Sequence, residues 1–168
     1  MYVSNTRIIT ARRWIIVGLA LFLFIFLGGC AAPVAAPSLS DGSAATTTRA
    51  MTVYRSPDCA CCHVWADIAR AEGWSVATVD VRDMAAFKAE HGVPAEASSC
   101  HTTLVAGYVV EGHVPLAAIE QLLRDRPDVD GIALPGMPVG SPGMGGTATG
   151  PFDVLSFHDG EIAAFGSF

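Results

Sequence analysis

Cys59-Ala60-Cys61-Cys62 puts three thiols into four positions, directly after a short apolar run, Met51-Thr52-Val53-Tyr54, and at the opening of a helix-forming stretch. Ser56-Pro57-Asp58 turns the chain between the two. A strand feeding a helix through so tight a turn leaves the cysteines at the helix start. There the free backbone N–H groups and the helix dipole stabilise thiolates, so sulfur in this place is reactive or metal-binding rather than structural. Cys59 and Cys62 have C-x-x-C redox spacing, and Cys61 adds a third soft ligand. A fourth thiol, Cys100, lies in Ser98-Ser99-Cys100-His101-Thr102. Metal binding and thiol redox both remain open at this point.

The first residues decide the compartment. Arg7, Arg12 and Arg13 precede an apolar segment, Trp14 to Leu27, broken only by Gly18, and Leu27-Gly28-Gly29 then leads into Cys30. We read 1–29 as a bacterial lipoprotein signal peptide, cleaved before Cys30, whose thiol is lipidated. A plain membrane anchor is the alternative, since the segment is almost long enough to span a bilayer. Arg12-Arg13 fits a twin-arginine signal poorly. All three readings export the domain, so the expected location is the periplasm, on a membrane-anchored lipoprotein.

Beyond Cys30 seven Lys/Arg face sixteen Asp/Glu, a formal charge of −9 with His neutral. A nucleic-acid partner would need a basic stripe, and there is none. Cys59, Cys61, Cys62 and Cys100 are the thiols left after lipidation. In an oxidising compartment they could form two disulfides and make the domain a stapled scaffold module. Geometry weakens that reading: a Cys61–Cys62 bridge would be strained, and only one of the clustered thiols can pair with Cys100.

Residues 30–50 comprise the lipidated cysteine and an Ala/Pro/Ser/Thr-rich tether, and 51–168 the folded domain. Within it, Met51–Tyr54 reads as a strand, followed by a helix with Val64, Trp65, Ile68 and Ala69 on one face and Gly73 as its stop. Trp74 to Val81 reads as a second strand. Asp83 caps a helix over Met84 to His91. Thr102–Val105 and Tyr108–Val110 form a hairpin through Ala106-Gly107. Pro115 opens a last helix with Leu116, Ile119, Leu122 and Leu123 as its stripe. Gly131 to Gly150 reads as loop, containing the repeat Pro135-Gly136-Met137 and Pro142-Gly143-Met144, and two short strands close the chain around His158-Asp159-Gly160.

The order β-α-β-α-β-β-α implies a right-handed βαβ unit feeding an antiparallel hairpin. With the C-x-x-C after the first strand, it resembles the thioredoxin/glutaredoxin fold: an α/β mixed sheet flanked by helices, here with a C-terminal loop and β-hairpin extension. That resemblance implies a thiol–disulfide oxidoreductase using Cys59 and Cys62. Two features depart from it. Cys61 would be a promiscuous third thiol, and Ser99 to Thr103 lacks the proline that such enzymes carry before the third strand. In those enzymes that proline hinders metal capture. Its absence, with Cys100 in its vicinity, implies a four-thiolate nest of Cys59, Cys61, Cys62 and Cys100.

Thiolates with thioether or imidazole support select Cu(I), Zn or an iron–sulfur cluster. Zinc with four cysteines comes as two well-spaced pairs, unlike the crowded triplet here. Copper is the soft metal an envelope must manage. The blocks Tyr54-Arg55-Ser56-Pro57-Asp58-Cys59-x-Cys61-Cys62, Ser99-Cys100-His101-Thr102, Gly107 to Pro115 and Pro135 to Met144 together resemble the CopG-type family of small envelope metal-binding proteins linked to copper resistance. The resemblance implies one or more Cu(I) ions on Cys59, Cys61, Cys62 and Cys100, for sequestration, handover or copper redox change. Other envelope copper-handling proteins are the expected partners.

His101 adjoins a ligand candidate, and His113 lies just before a helix at what should be the same end of the sheet. Met137 and Met144 sit in a Gly/Pro loop that exposes thioethers, which bind Cu(I) without competition from protons. All four join the candidate metal set, with the loop expected to fold over the sulfur. Tyr54 and Asp58 are candidates for tuning the thiolates, Asp58 doubling as a helix cap. His63 is read as surface or as a residue behind the ligands, and His91 and His158 carry no assigned role. Trp65, Ile68, Val76 and Phe87 are read as core.

Overall fold

The computed structural model describes residues 49–168. The signal peptide expected over 1–29, the expected lipidation site Cys30 and nearly all of the expected tether lie outside the described residues. The strands are β1 (Ala50–Arg55), β2 (Ser75–Asp80), β3 (Thr102–Val105), β4 (Tyr108–Gly112), β5 (Gly131–Leu134), β6 (Asp153–His158) and β7 (Glu161–Ser167). The α-helices are α1 (Ala60–Ala71), α2 (Met84–Glu90) and α3 (Leu116–Asp125). The strands join into one mixed sheet in the order β2-β1-β3-β4-β5-β6-β7. β1 pairs with β2, and β4 with β5, in parallel, and the other neighbours are antiparallel. This is a thioredoxin-like α/β fold with a loop and β-hairpin extension.

Strand direction decides where the chemistry collects. Because β3 runs against both β1 and β4, and β5 runs with β4, the C-terminal ends of β1, β4 and β5 meet the N-terminal start of β3 at one end of the sheet. The segments leaving or entering at that end are Ser56–Cys62, Ser98–His101, His113–Pro115 and Pro135 onward. All of the cysteines of the domain, and His101 and His113, therefore lie at one end by topology alone.

The sheet has two unlike faces. α1 and α3 cover one, with Val53, Val110, Ile132, Leu134 and Val154 from the sheet packed against Trp65, Ala66 and Ala69 of α1 and Ile119 and Leu122 of α3. The face toward α2 holds a smaller cluster of Ala97, Val109, Ala133 and Phe157. Burying a Leu or Ile side chain on the larger face stabilises the fold by about 1.5–3 kcal/mol each.

Four sequence expectations change. β5 lies where the sequence suggests loop: Gly-Ile-Ala-Leu is four residues long, wholly buried and without alternation, so no strand periodicity announces it. It completes the join between the thioredoxin-like half and the C-terminal hairpin. On α1 the buried stripe is Cys62, Trp65, Ala66 and Ala69, while Val64 is 49% exposed and Ile68 only half-buried. Ala66 and Ala69 face the sheet, and Val64 faces outward. The N-cap of α1 is Cys59, without a side-chain capping bond, so Asp58 does not cap the helix. Phe87 is half-buried and stacks on Tyr54, with ring centroids 4.4 Å apart, rather than joining the core. Asp83 caps α2 as expected, its carboxylate accepting from Ala86 N–H at 3.0 Å.

Candidate metal centre

Arg55 ends β1 nearly buried and shapes the turn that follows. Its guanidinium donates to the carbonyls of Ser56 and Pro57, both at 3.1 Å, and pairs with Asp80 of β2 at 2.8 Å. Cys59 then enters α1, and Cys61 and Cys62 stand in the helix's first turn. On the facing segment Cys100 immediately precedes His101 and β3.

The four sulfurs form a compact knot with Cys100 at its hub. Cys100 Sγ lies 3.1 Å from Cys59 Sγ, 3.3 Å from Cys62 Sγ and 3.4 Å from Cys61 Sγ, and Cys59 and Cys61 sulfurs are 3.5 Å apart. Cys59 and Cys62 are joined as a disulfide, and Cys61 and Cys100 are free thiols. A tetrahedral centre with metal–sulfur bonds of about 2.3 Å sets its sulfurs roughly 3.8 Å apart. Apart from the bonded Cys59–Cys62 pair, the sulfur separations given above are slightly shorter than that, and reduction of the disulfide is required before Cys59 and Cys62 can move apart to ligand spacing.

A second group overlaps the first. Cys62, Cys100, His101 and His113 have their ligand atoms within 4.8 Å of one another, as do Cys59, Cys61, Cys62 and Cys100. Cys62 and Cys100 belong to both. His101 and His113 are fully buried, their rings meeting edge to face at 5.0 Å, and His101 also packs on Trp65 at 4.9 Å. Trp65 in turn donates its indole N–H to Val114 O at 3.1 Å, tying α1 to the segment that carries His113.

The charge states suit a soft cation. Burial, reinforced by the neighbouring His113 and Lys88, pushes His101 down to about 3, so the ring is neutral at physiological pH. Burial likewise lowers His113, against a raising effect of its bond to Pro142. His113 Nδ1–H donates to Pro142 O at 2.7 Å, which leaves Nε2 with the lone pair. That nitrogen, and both nitrogens of His101, are buried without a partner. Unsatisfied buried nitrogens beside a sulfur knot are what a metal would satisfy, and a histidine whose other N–H is held by a backbone carbonyl is oriented as metal-bound histidines are. Burial, together with Cys61, pushes the Cys100 thiol up to about 12, Lys88 opposing and Glu111 adding to the effect. Metal binding there would have to displace a proton.

The 135–144 loop does reach this end. Pro142 accepts from His113, and Gly143, at φ +82°, packs so tightly on α1 that an added Cβ would lie 2.9 Å from Trp65 N and 3.0 Å from Cys61 O. Only glycine fits that approach. Met144 follows directly and is half-buried, whereas Met137 follows the Pro135-Gly136 turn and is 39% exposed. His63 and His158 are exposed, and His91 stacks on Phe87 at 4.1 Å. Tyr54 packs on Phe87, and the described bonds give Asp58 no part in the knot.

Two charged residues escaped the sequence reading. Glu111 of β4 is fully buried and Lys88 of α2 nearly so, and they form an ion pair on the α2 face behind Cys100. A carboxylate inside the apolar run Tyr108-Val109-Val110-Glu111 was the available signal.

Residues 97–144 match the model of a family described as proteins of unknown function, DUF411. No curated protein matches the chain. Two solved structures do, both of a copper resistance protein CopG, described as form 2 and form 1. Each is 40% identical to this chain and covers 71% of it. The match takes in 97% of the form 2 chain with a TM-score of 0.66, and 96% of the form 1 chain with a TM-score of 0.65. The chain belongs to the CopG family.

Proposed function

We propose that this CopG-family protein is a copper-handling protein that holds Cu(I) at the sulfur knot. The observation that carries the reading is Cys100 within 3.4 Å of all three sulfurs of the Cys59-Ala60-Cys61-Cys62 segment, with the unpartnered nitrogens of His101 and His113 alongside. Soft thiolates and neutral imidazoles in so dense a set favour Cu(I) over hard cations. Copper is cargo or substrate here. The name of the CopG structures supports a role in copper resistance, by sequestration, handover or interconversion of copper oxidation states. Cys62 and Cys100, common to both donor groups, are placed to bridge ions should more than one bind. Met144, beside the Gly143 contact, is the better situated of the two loop methionines, and Met137 would need its segment to fold inward.

The export signal in the sequence supports a lipoprotein anchored through Cys30 in the bacterial envelope, where copper enters first. Labelling with a radioactive fatty acid tests this: label lost in Cys30→Ser supports it, and label retained contradicts it.

A second reading has one observation in its favour. The Cys59–Cys62 disulfide with Cys100 Sγ at 3.1 Å has the arrangement of a thiol–disulfide oxidoreductase. The thiolate is the attacking species, and burial pushes the Cys100 thiol up to about 12, so Cys100 itself is a poor attacker on that bond at neutral pH; the Cys59-x-x-Cys62 pair would have to do the exchange alone. Anaerobic Cu(I) titration of the wild type and Cys100→Ser separates the two. Copper uptake that collapses in the variant supports the metal reading. Unchanged uptake, with insulin reduction dependent on Cys59 but not Cys61, supports the oxidoreductase.

A further inference from the structure

Ser98 to His101, which carries the hub sulfur, has no helix or strand of its own. What fixes it comes from β4. Glu111 points to the α2 face and is fully buried, where an unmatched carboxylate would be prohibitively costly. Its oxygens are taken up completely. Oε1 accepts from the Ser99 backbone N–H at 2.7 Å and from Lys88 Nζ, and Oε2 accepts from Thr102 Oγ1 at 2.7 Å. Lys88 Nζ also donates to Thr102 Oγ1 at 3.2 Å, which closes the network. Besides Lys88, both donors to Glu111 flank Cys100 and His101 in sequence.

The next residue of β4 continues the grip. Gly112 N–H donates to His101 O at 2.8 Å, and the Ser99 side chain occupies the space a Cβ on Gly112 would need. Gly112 stands at φ +82° with Leu134 O 2.7 Å from that same position. Ser99 to Thr102 is thus held by Glu111 and Gly112 together. Stability alone is a weak reason for a buried ion pair, because apolar residues of similar volume usually serve as well or better.

We propose that the Lys88–Glu111 pair is a positioning element of the sulfur site: Glu111 pins Ser99 and Thr102 and so sets where Cys100 Sγ stands against the start of α1, while Lys88 neutralises the carboxylate. The consequence for copper affinity rests on the Cu(I) reading above, but the pinning itself does not. Groups that orient ligands from behind typically change metal affinity by about 10–100-fold when removed.

The test compares the detergent-solubilised full chain with Lys88→Met/Glu111→Leu, which removes both charges and refills their space, and with the near-isosteric Glu111→Gln. Three quantities are measured: metal-free thermal unfolding, hydrogen exchange at the Ser99 amide, and Cu(I) affinity by anaerobic chelator competition. In the double variant the unfolding temperature stays near wild type, the Ser99 amide exchanges at least about tenfold faster, and Cu(I) affinity falls about 10–100-fold. Glu111→Gln, which keeps an acceptor for Ser99, falls between in exchange and affinity, while its unfolding temperature drops because Lys88 is left buried without a counter-charge. A folded double variant with wild-type Ser99 protection, or with wild-type copper affinity, overturns the proposal. If the double variant does not fold, Glu111→Gln decides, and wild-type values in it for both quantities overturn the proposal. Should the wild type itself take up no Cu(I), the copper reading fails, and Ser99 exchange still decides whether the pair pins the segment.

Discussion

The two faces of the sheet are built to different rules. Under α1 and α3 the packing is mostly apolar, from Val53 through Val110 to Ile132; its buried polar members include Thr103 and Ser156 and, at the sulfur end, the His101–His113 pair. Toward α2 the hydrophobic cluster is small, and a buried Lys88–Glu111–Thr102 network occupies the place of a core. Cys100 stands where the faces meet, with imidazoles on one side and an ion pair on the other. The contrast teaches a division of labour: the first face supplies the fold's stability, and the polar groups at one end of both faces set the geometry and charge around sulfur.

The largest expected departure from this division is at the hub. Cys100→Ser should lower Cu(I) affinity by more than about a hundredfold while leaving the metal-free fold intact. An unfolded variant would break the division by making Cys100 a core residue. Leu122→Ala on the apolar face should do the reverse. A loss of roughly 3 kcal/mol of stability is expected in chemical denaturation, with copper affinity of the folded fraction unchanged.

Acid sharpens the boundary between the faces. With His101 held down to about 3 from an ordinary 6.5, the unfolded chain binds a proton between those values and the folded chain does not. His101 should therefore make the stability of the metal-free protein rise with pH across that window, by at most roughly 1 kcal/mol per pH unit, with His113, also lowered by burial, acting in the same direction. His101→Phe, measured by the same denaturation series, should flatten the slope. The smallest effect belongs to Val64→Ala: an outward-facing residue of α1 should change stability by less than about 0.5 kcal/mol.

The sequence made the sulfur site legible because its information is local. Three cysteines at a strand–helix junction and a fourth before a strand need only the β1–β3 pairing to meet, and the resemblance to the thioredoxin fold implies that pairing. Asp83, the Ala106-Gly107 turn and Pro115 were readable for the same reason, each acting on its own neighbours. What stayed hidden depends on distant partners. β5 is recognisable only beside β4 and β6, since four buried residues carry no periodicity. Glu111 gains its meaning from Lys88, 23 residues away, and from the Ser99 amide. Val64 was misjudged because helical spacing gives a stripe but not which edge of it faces the sheet, a choice made here by Ala66 and Ala69.

Anaerobic Cu(I) titration of the chain in two states, fully reduced and with Cys59–Cys62 oxidised, tests the central claim most directly, with copper per chain and alkylatable thiols counted on the same samples. The account predicts tight uptake by the reduced protein with Cys59, Cys61, Cys62 and Cys100 shielded from alkylation, and loss of most of that uptake once two of the four sulfurs are locked in the disulfide. Equal uptake in both states, or reduced protein whose thiols stay open to alkylation in the presence of copper, would contradict it.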